Sequence, residues 1–162
     1  MATGRSQTAK SISNLPSSLL TGNIALGKTT RQSSTYANYT TSDKAVDGSR
    51  KNNMTRHKSC ACTKKNSPSW WRVDLGQPSK VVSVKITNRL ASPSRLGGFT
   101  IRVGQYPNAR ASNAICIANA KHTTGDTKEF KCTTPTTGRY LSIELVKHEE
   151  HLTICEVEVF SG

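Results

Sequence analysis

From residue 70 onward, the chain alternates apolar and polar residues with a period of two. In the segment FTIRVG at 99–104, for example, Phe99, Ile101 and Val103 fall on one face of an extended backbone. The same alternation occurs between Gly, Pro, Ser or Asn turns at 80–88, 127–132, 139–146 and 153–160. Short alternating runs predict strands, and no helical 3.6-residue period is present over a dozen residues. The pattern therefore predicts an all-β fold, an antiparallel β-sandwich.

The first half of the chain lacks this alternation. Residues 28–68 are polar and irregular, so they are expected to form loops at one end of the sandwich. Binding residues concentrate on loops carried by a rigid scaffold, and we therefore expect a site there. The neighbouring Trp70 and Trp71 would point to opposite faces of a strand, so only one of them can lie in the core. The other is expected to pack beneath the loops.

One folded domain is expected over residues 23–162. Residues 1–22 are polar and Ser-rich and are expected to form a flexible linker or propeptide remnant. This stretch has no apolar run long enough for the core of a signal peptide or for a membrane span. The remaining length suffices for a single hydrophobic core.

The formal net charge is +13, and its distribution is uneven. Residues 1–65 contain eleven Lys and Arg against two Asp and Glu, whereas residues 66–162 contain twelve against eight. This charge favours an anionic partner: nucleic acid, a sulfated or sialylated glycan, or an acidic membrane. Charge alone does not choose among these partners. DNA is disfavoured because no recognition helix and no aromatic sheet platform is visible.

The cysteines and two glycosylation sequons favour an oxidising, extracellular compartment. Sequons begin at Asn38 and Asn53, and the five cysteines lack the C-x2-C spacing of zinc sites. Four of the cysteines can pair, which leaves one over.

Two short motifs imitate catalytic signatures. GNIALGKT at 22–29 satisfies the phosphate-loop pattern, but no buried strand precedes it and no helical period follows it. HEEH at 148–151 resembles a metalloprotease motif, yet its histidines are three apart and precede a strand, so a loop is expected. No catalytic constellation remains, and the sequence predicts that the chain is not an enzyme.

Six segments occur in the order seen in F-type lectins, which are fucose-binding relatives of the discoidin-type domains of coagulation factors. They are NIALGKTTRQSS at 23–34, KAVDGSR at 44–50, SWWRVDLG at 69–76, VKITNR at 84–89, GRYLSIEL at 138–145 and ICEVEVF at 154–160. The resemblance extends from about residue 23 to 161 and implies a jelly-roll sandwich with NIALGKT as its first strand. It also implies the disulfides Cys60–Cys155 and Cys116–Cys132, with Cys62 left over.

The resemblance implies a sugar site made of one histidine and two arginines. Arg89 and Arg95 in RLASPSR match the two arginines, although this loop is one residue shorter than the family pattern. Cys62 stands at the histidine position, and Ala91 stands where an acid is expected. We expect His57, on the same loop as Cys62, to substitute in part for the missing histidine. Without the acid, the arginines have no obvious orienting partner and favour an anionic glycan.

Cys62 itself has two alternative roles beside the sugar site. It is either a buried, inert thiol or an exposed thiol able to form an intermolecular disulfide.

A structural calcium ion is also implied by the resemblance. Calcium accepts a mixture of carboxylate, hydroxyl and carbonyl oxygens, so a loop with few acids can hold it. The matching residues are Lys44 through its backbone carbonyl, Asp47, Ser49, Ser59, Cys155 and Glu156.

These observations together predict a secreted lectin that binds fucose-containing or anionic glycans on cell-surface or egg-coat glycoproteins. The strongly basic composition resembles the bivalve sperm bindins, which are F-type proteins of sperm–egg adhesion, stored in a vesicle such as the acrosome. One alternative is an innate-immune fucolectin that recognises microbial sugars. The other is a discoidin-like module that docks on acidic membrane or protein by charge.

Overall fold

The structure, a computed structural model, describes residues 22–108, 110–146 and 149–162. The linker expected over residues 1–22 lies outside this part except for Gly22. Eight strands are present: β1 Thr29–Gln32, β2 Ala61–Cys62, β3 Trp70–Thr87, β4 Phe99–Gly104, β5 Ala114–Ala120, β6 Thr127–Leu145, β7 Thr153–Ile154 and β8 Glu156–Ser161. The helices are short: α1 Met54–His57 and the 3-10 turns Ser42–Val46, Pro93–Leu96 and Arg110–Ser112. None of the described helices is long and apolar enough to span a membrane.

All strand pairs are antiparallel, and the two long strands β3 and β6 organise the fold. The order in the main sheet is β1-β3-β6-β4-β5, and β8 also pairs with β3. β1 pairs with the first part of β3, at Trp71–Asp74, whereas β8 pairs with its second part, at Val81–Thr87. Register shifts after Asp74 and after Val81 separate these two parts. The all-β prediction is confirmed.

The strands around Trp71–Asp74 of β3 are called the first part of the sheet, and those around Val81–Thr87 the second part. The two parts share one hydrophobic core. Trp71, Ile143 and Phe99 are buried in the first part, and Ile86 and Val157 in the second. Trp71 is the core tryptophan, as the alternation in β3 requires, and Trp70 lies on the opposite face beside Arg110. The small sheet of β2 and β7 brings the polar first half of the chain against this sandwich.

The segment NIALGKT is not the first strand, contrary to the expectation from the resemblance. Residues 24–27 form a turn, and β1 begins only at Thr29. The Oδ1 atom of Asn23 accepts hydrogen bonds from the N–H groups of Ala25 and Val159, both at 3.0 Å. Gly27 has a φ of 69°, which an extended strand does not permit. Because β1 rather than a helix follows Lys28, the segment does not form a phosphate loop.

Both implied disulfides are present, Cys60–Cys155 and Cys116–Cys132. The first joins the segment before β2 to the residue between β7 and β8. The second ties β5 to β6. The part of HEEH that the structure describes, residues 149–151, precedes β7 as a loop.

Candidate functional site

The loops around β2 enclose a cavity of about 210 Å³. Its lining residues are Tyr36, Tyr39, Met54, Thr55, Cys62, Arg89, Arg95 and His151. The structure therefore brings together three of the four residues expected from the sequence: Arg89, Arg95 and Cys62. His57 does not line the cavity.

A buried asparagine positions the loop that carries both arginines. The Nδ2 atom of Asn88 donates to the carbonyl oxygens of Pro93 at 2.9 Å and His122 at 2.7 Å. Its Oδ1 accepts from the backbone N–H of Arg89 at 2.8 Å. Because these bonds cross the base of the loop, Asn88 fixes the positions from which the Arg89 and Arg95 side chains enter the cavity.

Arg89 presents an unused donor in this cavity. Its Nε atom is buried and has no hydrogen-bond partner within the described residues. Leaving a buried donor unpaired is unfavourable by about 1–3 kcal/mol, and more for a charged group. A ligand oxygen accepting from Nε would offset this, so the geometry fits an acceptor-rich ligand.

Arg95 has an acidic partner, which corrects the expectation that neither arginine has one. Its Nε atom lies 3.7 Å from Oε1 of Glu150. This carboxylate comes from the loop before β7. It does not come from the arginine loop, where the exposed Ala91 occupies the position at which an acid is expected. The sequence could not indicate this because the partner lies in a distant segment. The charge of Arg95 is thus partly balanced, and the case for an anionic ligand in this cavity is weaker.

Cys62 is buried at the cavity wall. Its sulfur contacts the hydroxyl oxygen of Thr153 at 3.2 Å and the carbonyl oxygen of Thr63 at 3.4 Å. Burial raises the pKa of the Cys62 thiol, and the Thr153 contact opposes the shift. The structure thus corresponds to the inert-thiol alternative, because an intermolecular disulfide would need an accessible thiolate.

His57 lies outside the cavity because of the way α1 ends. Its backbone N–H donates to Asn53 at 2.9 Å, and the chain then turns through Lys58, which has a φ of 49°. His57 itself is exposed at the end of α1. The cavity instead receives a histidine from the other end of the chain, His151.

The orientation of His151 is fixed by the backbone and by a tyrosine. Its Nδ1 atom lies 2.7 Å from the carbonyl oxygen of Thr63, which can only accept, so Nδ1 carries the proton. In the neutral ring Nε2 is then an acceptor, and it makes no hydrogen bond within the described residues. The Tyr36 ring packs edge-on against the imidazole. The pairing of Cys62 with Thr153 explains the arrangement, since His151 lies two residues before Thr153.

The wall residues that the sequence did not indicate lie in segments whose motifs point to other chemistry than sugar binding. Tyr39 and Met54 are the central residues of the two sequons, and Thr55 ends the second one. His151 ends the HEEH segment, whose described residues 149–151 form a loop, as expected, and nothing in this segment indicates a sugar site. The only available signal was the position of these segments in the polar loops.

A second centre lies around Glu156 and contains two of the residues expected to bind calcium, Glu156 and Asp47. This side chain is 1% exposed, and its Oε1 atom has no hydrogen-bond partner in the described structure. Its Oε2 atom accepts from the N–H of Gly48 at 2.8 Å. Burial and the neighbouring Asp47 raise the pKa of Glu156 to about 9. Two adjacent carboxyl groups with an unpaired buried oxygen fit a divalent cation, which offsets both the desolvation and the repulsion.

Of the other expected ligands, Lys44 and Ser49 lie close to Asp47 in the chain, and Cys155 immediately precedes Glu156. Lys44 belongs to the 3-10 turn that leads into Asp47, and Ser49 donates its N–H to Asp47 at 2.9 Å. Ser59 precedes Cys60, which is disulfide-bonded to Cys155, and the Ser59 hydroxyl donates to the carbonyl oxygen of Lys51 at 2.5 Å. Among residues 22–108, 110–146 and 149–162, no three His, Cys, Asp or Glu side chains are grouped so that they could hold a metal ion. Hydroxyl and carbonyl oxygens would therefore have to complete the coordination, as calcium permits.

Comparison with known proteins finds a matching family model, related sequences and similar solved structures. A family model described as NedA-like, galactose-binding domain matches residues 44–143. Fucolectin-3 of Anguilla japonica is 37% identical over 152 residues, which are 90% of this chain and 83% of that protein. A fucolectin from Morone saxatilis (striped bass) serum has a TM-score of 0.79 at 38% identity, covering 86% of this chain and 47% of that chain. A fucose binding module of Streptococcus pneumoniae has a TM-score of 0.71 at 33% identity, covering 86% and 95%.

The sandwich is thus a domain of the galactose-binding-like class. Within this class, the chain belongs to the F-type lectin (fucolectin) family. It is not an enzyme, in agreement with the prediction from the sequence.

Proposed function

We propose that this chain is an extracellular lectin that binds fucose-containing glycans in the cavity between Arg89 and Arg95. The observation that carries the proposal is the convergence of both guanidinium groups on one cavity, where Arg89 Nε is buried and unpaired. Guanidinium groups donate several hydrogen bonds in a fixed plane, which suits neighbouring sugar hydroxyls and a ring oxygen. The relatives named for fucose binding support the choice of sugar.

The remaining wall residues complement the arginines. His151 offers an acceptor at Nε2, so a sugar hydroxyl can accept from an arginine and donate to the imidazole. Met54 and the Tyr36 ring supply apolar contact, which suits the methyl group of a deoxy sugar. The volume of about 210 Å³ is below the roughly 300–1,000 Å³ of sites for drug-sized ligands, and this suits one terminal sugar residue.

Calcium is proposed as the structural ion of the second centre. Asp47 and Glu156 would supply carboxylates, and the surrounding hydroxyl and carbonyl oxygens would complete the set. The ion would hold the Asp47–Ser49 turn against the start of β8 and would neutralise the buried carboxylate. Added calcium should raise Tm in the wild type and in the exposed control Glu129→Gln, but not in Glu156→Gln. If added calcium does not raise Tm in the wild type, the proposed calcium site is refuted.

Adhesion between sperm and egg is the finer role proposed for the lectin. It is supported by the net charge of +13, which favours acidic glycoprotein coats. The two disulfides support an extracellular location. Selective binding to an egg-coat glycoprotein, with weak binding to free fucose, would favour this role. Broad binding to microbial fucosylated glycans would instead favour the innate-immune alternative.

A glycan array at two salt concentrations tests the proposed function. Fucosylated glycans should bind at both, because hydrogen bonds in a cavity are screened less than surface charges. Arg89→Ala and Arg95→Ala should each reduce binding at least tenfold, whereas Arg56→Ala, at an exposed position of α1, should not. Absence of fucosylated ligands, or an equal loss in Arg56→Ala, would refute the cavity as the site. Binding that disappears with salt would favour the charge-driven module.

A further inference from the structure

A row of arginines crosses the first part of the sheet, on the face opposite the core. Arg31 of β1 is paired with Arg72 of β3, and both Arg72 and Arg102 of β4 are paired with Ser142 of β6. Residues in register share a face of the sheet. Neighbouring strands are about 4.8 Å apart, so the row spans about 14 Å from Arg31 to Arg102.

The acidic residues of this face are already engaged elsewhere. Glu144 is paired with Arg110 at 3.0 Å, and Asp74 is paired with Arg139 at 2.7 Å. Within the residues that the structure describes, Arg31, Arg72 and Arg102 form no salt bridge. The pKa of Arg72 is lowered, first by burial and then by the charge of Arg31, whereas Tyr140 and Asp74 act against this shift.

Backbone carbonyls hold two of these guanidinium groups in place. Arg72 donates to the carbonyl oxygen of Pro107, and Arg102 donates to that of Asn113 at 2.8 Å. A carbonyl oxygen orients a guanidinium group without neutralising its charge. Arg31 is exposed and has no side-chain hydrogen bond in the described structure. The row therefore presents fixed positive charge with donors left for a ligand.

Two adjoining cavities follow the row. One of about 480 Å³ is lined by Arg31, Arg72 and Trp70. The other, of about 270 Å³, is lined by Arg102, by Arg110 and by Glu144, whose carboxylate is paired with Arg110. Asn108 lines both, so the two cavities adjoin, and together they are called the arginine groove. The Arg89–Arg95 cavity shares no lining residue with this groove.

We propose that this arginine groove is a second binding site, which takes a sulfated polysaccharide chain. A linear polyanion matches a row of guanidinium groups, two of which are held in place, and each sulfate accepts from them in the same forked geometry as a carboxylate. An acidic membrane fits less well. Membrane docking uses protruding apolar side chains, whereas the larger cavity is concave and its lining is polar except for Trp70.

The test uses heparin as the probe, with affinities measured by surface plasmon resonance. Arg31→Gln should weaken heparin binding about tenfold and leave binding to fucosylated glycan unchanged. Arg31 is the chosen position because it is exposed, so its replacement should not disturb folding. Lys131→Gln is the matched control, because Lys131 is an exposed cation of β6 paired with Ser83, away from the row. Its heparin affinity should remain within about twofold of the wild type.

Three outcomes would overturn the groove. The first is that heparin does not bind. The second is that Lys131→Gln loses as much heparin affinity as Arg31→Gln, which would mean that binding depends on diffuse surface charge. The third is that Arg89→Ala loses heparin binding, which would place the polyanion in the sugar cavity. Phosphatidylserine vesicles are the second probe. Binding to these vesicles that depends on Arg31, without binding to heparin, would mean that the ligand of the groove is an acidic membrane and not a polysaccharide. Loss of fucose binding in Arg89→Ala, with heparin binding kept, would support both sites independently.

Discussion

The imidazole of His151 meets the ring of Tyr36 edge-on, with 5.2 Å between the centroids and an interplanar angle of 85°. Together with the hydrogen bond from Nδ1 to Thr63, this contact allows one orientation of the imidazole. A histidine from the segment before β7 therefore stands in the cavity where the family pattern, applied to the sequence, finds Cys62. The site has a histidine, but one delivered by a different part of the chain.

His151→Ala should weaken fucose binding about tenfold, because the sugar loses an oriented acceptor. Isothermal titration calorimetry with fucose measures the change. His57→Ala is the control, since His57 is exposed and outside the cavity, and its affinity should equal that of the wild type. A loss of fucose affinity in His57→Ala but not in His151→Ala would instead support His57, the residue expected from the sequence.

Glu150→Gln should change fucose affinity less than about fivefold, in contrast to Arg95→Ala. The Arg95 and Glu150 side chains are 34% and 28% exposed, and such partly exposed pairs contribute about 0.2–1 kcal/mol. Arg95 retains its donors when the carboxylate becomes an amide. The same calorimetric titration compares both variants. Equal losses would mean that Arg95 acts only through its ion pair.

Removing the Cys116–Cys132 disulfide should lower the free energy of unfolding by about 3 kcal/mol. The bond closes a loop with a sequence separation of 16, and a loop of this size restricts the unfolded chain by about that amount. Urea unfolding of Cys116→Ala/Cys132→Ala measures it, with Cys62→Ala as the control for loss of a buried sulfur. A loss no larger than that of Cys62→Ala would contradict the estimate.

Arg139→Gln should destabilise the protein at neutral pH and not in acid. Two hydrogen bonds from Arg139 hold the pKa of Asp74 below its ordinary value, and the N–H of Gly76 contributes. Stability from this shift is complete above the ordinary aspartate pKa and is lost as the pH falls through the lowered one. Urea unfolding at a series of pH values should show the difference from the wild type shrinking in acid. A constant difference would exclude Asp74 as its source.

The strands could be predicted where one face is buried and solvent covers the other. The segment 99–104 coincides with β4 for this reason. The segments 127–132 and 139–146 instead belong to a single strand, β6. Pro135 suggested a break, but it lies where the register between β3 and β6 shifts, so its missing N–H is tolerated. β5 was missed because Ile115 is exposed and Cys116 is buried by its disulfide, which obscures the alternation.

The candidate site could be predicted only as far as it is local in sequence. Arg89 and Arg95 lie on one loop, so their spacing carried the information. His151 and Glu150 reach the cavity through the pairing of β2 with β7. Such a long-range pairing depends on the packing of the whole sandwich, which a single sequence does not display.

The sequons give the cavity a further property, since Asn38 and Asn53 immediately precede the wall residues Tyr39 and Met54. Asn53 caps α1 through Oδ1, which leaves its Nδ2, the atom that an oligosaccharyltransferase modifies, outside the cap. Oligosaccharides attached at these two asparagines would lie beside the entrance of the Arg89–Arg95 cavity and would restrict access to it. Protein made in bacteria should therefore be the more accessible receptor, and enzymatic deglycosylation should bring material from animal cells to the same level.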